Sequence, residues 1–162
     1  MTPSTRLIRL IRAGFPASPL PQRFLRARGE LSPRSDTALE LSRRLQGREW
    51  PEISINDWAM VGTPPCIARR YLEPEAFLYY VPSLLIGVYQ CPEYLNFAVE
   101  GIIPDNQARR PRGEWWMEFS LNVSEAQKMA FAAFLMDIRP LYPEAESAIR
   151  ADVEVAEGLW SK

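Results

Sequence analysis

The stretch YLEPEAFLYYVPSLLIGVY, residues 71–89, is strongly apolar and decides the fold of this sequence. Pro74 suits the first turn of a helix, where its missing amide hydrogen costs nothing. Pro82 lacks the same hydrogen deeper in the stretch, and its ring would collide with the preceding turn. These residues therefore predict two short helices, 74–81 and 82–90, that meet at an angle at the centre of the fold.

Helix signals also lie on the amino-terminal side of this stretch. Residues 4–13 carry apolar residues at helical spacing, with Arg6, Arg9 and Arg12 on the opposite face. Residues 15–34 are rich in proline and arginine, which indicates a long loop. Thr37 and Glu40 have the spacing of a capping box and predict a second helix. Its buried face is expected to hold Leu39, Leu41 and Leu45.

The carboxyl-terminal side contains the clearest helix. Ser124 and Gln127 form a second capping-box pattern and predict a helix over residues 125–138, followed by a last helix over about 144–159. Residues 50–58 are expected to be extended, and residues 91–113 to be irregular.

Residues 114–121 alternate between two sets of side chains, which is typical of a strand. In that arrangement Trp116 points outward beside Glu114 and Glu118, and Trp115 points inward. An exposed tryptophan between carboxylates is typical of an interface anchor, since tryptophan is enriched at binding hot spots. The alternative is that both indole rings pack under the long loop. Paired glutamates such as these can also act as a general acid and a general base, or bind Mg²⁺.

These elements predict a mainly α protein. We expect residues 1–162 to form a single compact domain of about five helices with long Pro-rich loops and at most one short β-hairpin or edge strand. It divides into an N-terminal helix, a Pro/Arg-rich loop, a central core and an acidic C-terminal helix, at residues 1–14, 15–34, 35–138 and 140–162.

The composition excludes several kinds of chemistry. The 162 residues include no histidine, so histidine bases, histidine metal ligands and Ser–His or Cys–His nucleophiles are excluded. Eight glycines form no phosphate-binding loop of either common spacing, and Cys66 and Cys91 form no metal-binding pattern. We therefore predict no cofactor, no metal site and two reduced thiols. The amino terminus has no signal-peptide core, which favours a cytoplasmic protein without membrane contact.

Charge is distributed unevenly along the chain. Residues 1–70 contain twelve basic and six acidic residues, and residues 71–162 contain seven basic and fourteen acidic residues. The two halves either attract each other within one globule or leave an acidic surface for a basic partner. Asp152, Glu154 and Glu157 are the candidates for that surface, and the alternative for them is a solvated helix face.

Three short motifs follow one another along the chain, and their order is informative. They are Gly47-Arg48-Glu49-Trp50, Tyr79-Tyr80-Val81-Pro82 and Ser124-Glu125-Ala126-Gln127 with Phe134-Leu135 ten residues on. The sequence resembles a family of small bacterial domains of unknown function, marked by a G-R-x-W segment, a central Y-Y-L-P motif and a late helix start. Val81 departs from the usual leucine. The resemblance implies a mostly helical fold and brings no established activity and no catalytic residue.

The leading hypothesis is a non-catalytic protein-binding module, most plausibly an immunity-type protein that neutralises a bacterial toxin. Its partner-binding residues would be Trp116, Glu114 and Glu118, with Asp152, Glu154 and Glu157 as an electrostatic rim for a basic toxin domain. One alternative is a carboxylate-dependent enzyme that uses Glu114, Glu118 and Asp57, with Mg²⁺ as a candidate cofactor. Another is a nucleic-acid binder that uses the arginines of residues 6–48, which the near-neutral net charge of −1 disfavours. The oligomeric state stays open.

Overall fold

The protein is mainly α-helical, as predicted. The computed structural model describes residues 1–26, 34–142 and 147–162, and within them nine helices and four 3₁₀ turns occur. The helices are α1 Thr5–Gly14, α2 Asp36–Leu45, α3 Ile55–Ala59, α4 Pro65–Ala68, α5 Pro74–Gly87, α6 Leu95–Gly101, α7 Glu114–Asn122, α8 Glu125–Ile138 and α9 Ser147–Trp160. The 3₁₀ turns are Trp50–Glu52, Arg69–Tyr71, Pro92–Tyr94 and Arg139–Leu141.

Helix α5 is continuous and occupies the centre of the fold. Pro82 lies inside it, so the predicted break at this residue is wrong. An interior proline costs about 3 kcal/mol. Eleven of the fourteen residues of α5 are buried, and burying one large apolar side chain contributes about 1.5–3 kcal/mol. Packing on all sides of α5 therefore outweighs the backbone hydrogen bond that Pro82 cannot make.

Helices α1 and α8 pack against each other, and local signals define both starts. Ser4 caps α1 by accepting a hydrogen bond from the amide of Leu7, and Leu7 and Ile11 are fully buried. Ser124 and Gln127 form the predicted capping box of α8. The predicted capping box of α8 and the predicted helix at residues 4–13 are confirmed, and such signals are readable because capping uses only residues that are neighbours in the sequence.

The start of α2 differs from the prediction. Ser35, not Thr37, caps it by accepting a hydrogen bond from the amide of Ala38, and the hydroxyl of Thr37 lies 3.0 Å from that of Thr63. The buried face consequently contains Ala38 with the two leucines Leu41 and Leu45, while Leu39 is 55% exposed.

Helix α7 replaces the predicted strand at residues 114–121. Read with helical spacing, residues 115, 116 and 119 fall on one face, and Trp116 and Phe119 are buried there. Met117 and Leu121 are apolar but lie on the solvent side, where they are 45% and 80% exposed. Their apolar side chains produced the alternation in the sequence that resembles a strand.

Three further regions differ from the predictions. Residues 50–58 form a 3₁₀ turn and α3 instead of an extended segment, and residues 91–113 include α6. In the described residues the β-structure is a single antiparallel bridge between Leu25 and Leu72, so the predicted hairpin or edge strand is not found there. Residues 27–33 of the predicted loop and residues 144–146 of the predicted last helix lie outside the described residues.

One hydrophobic core joins the helices. It runs from Leu7 in α1 to Trp160 in α9, and the indole of Trp160 donates a 2.7 Å hydrogen bond to the carbonyl of Ile102. This bond attaches α9 to the residue that follows α6. None of the described helices is long and apolar enough to cross a membrane.

A pair of glycine substitutions tests the packing around α5. A methyl group added at Gly87 would lie 2.9 Å from Cβ of Ile55, whereas one added at Gly158 in α9 meets no atom within 4 Å. We expect Gly87→Ala to lower the free energy of unfolding by about 1–3 kcal/mol because it overpacks the contact between α3 and α5. Gly158→Ala is the control and should raise it by up to about 1 kcal/mol. Urea denaturation measures both, and equal effects would contradict the described packing.

Candidate functional site

A groove of about 520 Å³ lies between α1, the 3₁₀ turn Trp50–Glu52 and α5. Its size falls within the range of ligand and peptide-anchor pockets. We call this feature the α1–α5 groove. Its apolar lining residues are Ile8, Ile11, Phe15, Pro16, Ala17, Trp50, Pro51, Ile53, Ile55, Ile86 and Gly87, and its polar ones are Arg12, Glu52, Ser54, Ser83 and Gln90. Arg12, Glu52, Ser54 and Gln90 are exposed, so the groove opens to solvent along this rim.

Hydrogen bonds to backbone carbonyls hold the walls of the groove together. The indole of Trp50 donates to the carbonyl of Phe15 at 3.0 Å, and the hydroxyl of Tyr79 donates to the carbonyl of Ala17 at 2.5 Å. The same hydroxyl accepts a hydrogen bond from the Trp50 amide at 3.2 Å. Residues 15–17, which follow α1, are thereby attached both to the 3₁₀ turn Trp50–Glu52 and to α5. The groove is therefore preformed.

Tyr80 anchors the turn that leads into this wall. Its hydroxyl lies 2.8 Å from the carbonyl of Leu45 and 2.9 Å from that of Arg48. Gly47, between these residues, has φ +79°, which favours glycine. Burial raises the pKa of Tyr80 to about 12, so the phenol stays protonated and able to donate. Tyr80 is buried, and its hydroxyl binds backbone carbonyls inside the fold.

The contacts of Tyr79 and Tyr80 bring together two motifs that are distant in the sequence. The segment from Gly47 to Trp50 and the Tyr79-Tyr80 pair share the hydrogen bonds just described. These side chains build the groove wall, and sequence patterns alone contained no sign that they meet.

The rim of the groove carries charges of both signs. Arg12 lies in the last turn of α1 and has no ion pair within 4.0 Å among the described residues. Glu52 lines the other side, where one of its carboxylate oxygens accepts a hydrogen bond from the amide of Glu49 at 3.1 Å. The groove can therefore receive an apolar group that carries an anion towards Arg12.

Trp116, the predicted exposed anchor, is buried. It is 4% exposed and packs against Phe119 and Trp160 with ring centroids 5.4 and 6.1 Å apart. The prediction of an outward indole is wrong because residues 114–122 are helical, which turns residue 116 towards the core. Trp115 is half-buried, and its indole donates to the carbonyl of Leu72 at 2.9 Å.

Glu114 and Glu118 lie on one side of α7, as their spacing predicted, and both face Arg26. Arg26 lies 3.8 Å from Glu114 and 3.6 Å from Glu118, and its side chain is only 10% exposed. The two glutamates thus balance a largely buried cation, which gives them a structural role and reduces the negative charge that they present to a partner.

The three acidic residues of α9 also have arginine partners. Arg109 binds Asp152 with two hydrogen bonds of 3.1 and 3.2 Å. Glu154 pairs with Arg150 at 3.4 Å, and Glu157 pairs with Arg139 at 3.6 Å. The structure therefore does not bring these residues together with Trp116 as a free acidic surface.

Asp57, the remaining acidic candidate, belongs to the amino-terminal cap of α3. Partial burial alone would raise its pKa, but hydrogen bonds from the amide of Ser54 and from Arg48 outweigh burial and lower the pKa. A carboxylate held this way stabilises the helix start. Within residues 1–26, 34–142 and 147–162, no three His, Cys, Asp or Glu side chains are grouped to hold a metal ion.

Arg69 is a buried cation that the sequence analysis missed. It is 1% exposed and donates hydrogen bonds to the carbonyls of Glu100, Gly101 and Ile103 at 3.2, 2.5 and 2.7 Å. Its guanidinium carbon lies 5.0–5.9 Å from the ring centroids of Phe77, Trp115 and Trp116. Burial lowers its pKa to about 10, so it remains charged at neutral pH. Arg70 beside it is half exposed, and no sequence signal distinguishes the two.

Cys66 lies close to Arg69 and its carbonyl partners, and its thiol is unreactive at neutral pH. Its thiol donates a hydrogen bond to the carboxylate of Glu100 at 3.1 Å. Burial and this carboxylate raise the pKa of Cys66 to about 12, so little of the nucleophilic thiolate forms at neutral pH. Cys66 and Cys91 are both free thiols, as predicted.

In comparisons with known proteins, no family model, no curated protein and no solved structure matches this chain. The resemblance to a family of small bacterial domains therefore stays a prediction.

Substitutions of the adjacent residues Arg69 and Arg70 test the structural role of the buried Arg69 guanidinium. Arg69→Met removes the guanidinium donor from the buried carbonyls of Gly101 and Ile103, and each unsatisfied group costs about 1–3 kcal/mol. We expect the free energy of unfolding to fall by about 3 kcal/mol or more. Arg70→Met removes one half-exposed ion pair with Asp105 and should cost at most about 1 kcal/mol. Urea denaturation of both variants measures the difference, and equal losses would refute the structural role of Arg69.

The raised pKa values predict loss of stability at alkaline pH. The Cys66 thiol releases its proton near pH 9 when the chain is unfolded and near pH 12 when it is folded. Above pH 9 the unfolded state therefore binds fewer protons, and the free energy of unfolding falls as the pH rises. Between pH 9 and 10 this group contributes a loss of about 1 kcal/mol. Cys66→Ala should show a shallower decline in urea denaturation, and identical slopes would contradict the assignment.

Proposed function

We propose that this chain is a non-catalytic protein-binding module, an immunity-type protein that binds and neutralises a bacterial toxin in the cytoplasm. The observation that supports protein binding is the α1–α5 groove, which is preformed, open and apolar, with a cation at its rim that forms no ion pair with any described residue. Soluble proteins expose sizeable apolar concavities mainly where they bind something.

The proposed contact surface differs from the one predicted from the sequence. Trp116 is buried, and Glu114, Glu118, Asp152, Glu154 and Glu157 have arginine neighbours within the chain. The groove therefore takes the place of the acidic surface as the site for the partner.

The other two candidate functions gain no support from the described side chains. A carboxylate enzyme would need several acidic groups together in a cleft, but among the described residues Glu52 is the single carboxylate that lines the α1–α5 groove. A nucleic-acid binder would need most of the arginines of residues 6–48 to be free, but Arg23, Arg26, Arg43, Arg44 and Arg48 form ion pairs with acidic residues of this chain, and of the exposed arginines of α1, Arg12 lines a mostly apolar groove.

Co-expression tests the proposed function. The full chain is produced together with the product of the adjacent gene, with an affinity tag on one of them. We expect the two proteins to co-purify in a fixed ratio, and we expect growth arrest by the neighbour to be relieved when this chain is present. A neighbour that is harmless alone and never co-purifies would overturn the proposal.

A further inference from the structure

We infer that the α1–α5 groove binds an amphipathic peptide segment, one that places apolar side chains in the groove and an Asp or Glu carboxylate on Arg12. This inference rests on the proposed function and specifies the part of the partner that is recognised. It follows from three observations: the shape and lining of the groove, the arginines of α1 that form no ion pair with the described residues, and the orientation of that helix.

The lining requires an apolar anchor. Ile8 and Ile86 are half-buried on opposite walls, and Ile53, Trp50 and Phe15 are buried behind them. Filling this space with hydrocarbon would remove apolar surface from water on both partners, at about 25 cal/mol for each Å². The volume of about 520 Å³ accommodates several side chains of one short segment.

The positive charge of α1 favours a bound segment that carries an acidic side chain beside its apolar anchor. Many arginines of the described residues pair with carboxylates of the chain, but Arg6, Arg9 and Arg12 are exposed and have no such partner among the described residues. They recur at every third position of one helix, and Arg12 also lines the groove. A guanidinium binds a carboxylate in a planar, two-hydrogen-bond geometry, which fixes the register of a bound segment.

The orientation of α1 argues against a membrane as the occupant. The apolar residues Leu7 and Ile11 of this helix are buried in the core of the protein, so no apolar face remains for insertion into lipid. The groove also argues against a nucleic acid. Glu52 on the opposite rim would repel phosphates, and the mostly apolar lining does not suit a polyanionic backbone.

Peptide display on the full chain tests the inference with a defined probe. A phage library of random 16-residue peptides is selected against the protein, and the enriched sequences are made synthetically with a fluorescent label. We expect the selected peptides to combine two or more large apolar residues with an Asp or Glu at a constant spacing. Fluorescence anisotropy then measures their affinity.

Two variants of the groove provide the decisive comparison. Arg12→Glu reverses the rim charge and Gln90→Trp fills the rim with an indole; both positions are exposed, which keeps the risk of misfolding low. Each variant should weaken binding at least tenfold. Arg112→Glu and Met136→Trp are the matched controls at exposed positions outside the groove, and they should bind as the unmodified protein does. Circular dichroism and urea denaturation verify that all four variants fold.

Other results would overturn the inference. Enriched peptides without an acidic residue, or peptides that bind Arg12→Glu and Gln90→Trp unchanged, would contradict it. So would dodecanoate or a 16-nucleotide single-stranded DNA that binds the groove more tightly than every selected peptide. If the adjacent gene product co-purifies equally with Arg12→Glu and Gln90→Trp, the groove inference fails and the proposed function stands. If no co-purification occurs at all, the proposed function fails.

Discussion

The buried guanidinium of Arg69 is the constraint on which the rest of the structure depends. An isolated charge in an apolar core is too costly to persist, so it requires hydrogen-bond acceptors around it. The carbonyls of residues 100, 101 and 103 at the end of α6 supply them. Helix carbonyls carry partial negative charge at this end. The aromatic rings of Phe77 in α5 and Trp115 in α7 complete the site, so one side chain sets the relative positions of three helices.

The same principle organises the other charges of the molecule. In the described part of the acidic second half, most carboxylates meet arginines within the chain, which interrupts the anionic surface. Asp152 binds Arg109, and Glu118 binds an Arg26 that is almost buried. Between the two halves, Arg23 pairs with Glu73, Arg26 with Glu118 and Arg70 with Asp105, which agrees with attraction between the halves within one globule. The arginines of α1, which pair with no carboxylate of the described residues, remain as a positively charged feature next to the groove.

Two elements show how far sequence reasoning reaches in this protein. The start of α8 was predicted correctly because its cap, Ser124 with Gln127, needs only the residues themselves. Helix α7 was predicted as a strand because eight residues with apolar side chains on several faces satisfy both periods. Whether Trp116 points inward depends on the aromatic rings of Phe119 and Trp160, and the second of these lies 44 residues further along the chain.

The amino-acid sequence by itself determined the mainly α class, the ends of α1 and α8, the absence of histidine chemistry and the central position of residues 71–89. Each of these depends on composition or on neighbours within about four residues. Tertiary structure alone decided that α5 passes through Pro82, that Arg69 and not Arg70 is buried, and that Trp50 meets Tyr79 to build a groove wall. These outcomes result from competition between long-range packing and local preference, and the packing energy becomes definite only when distant segments are in contact.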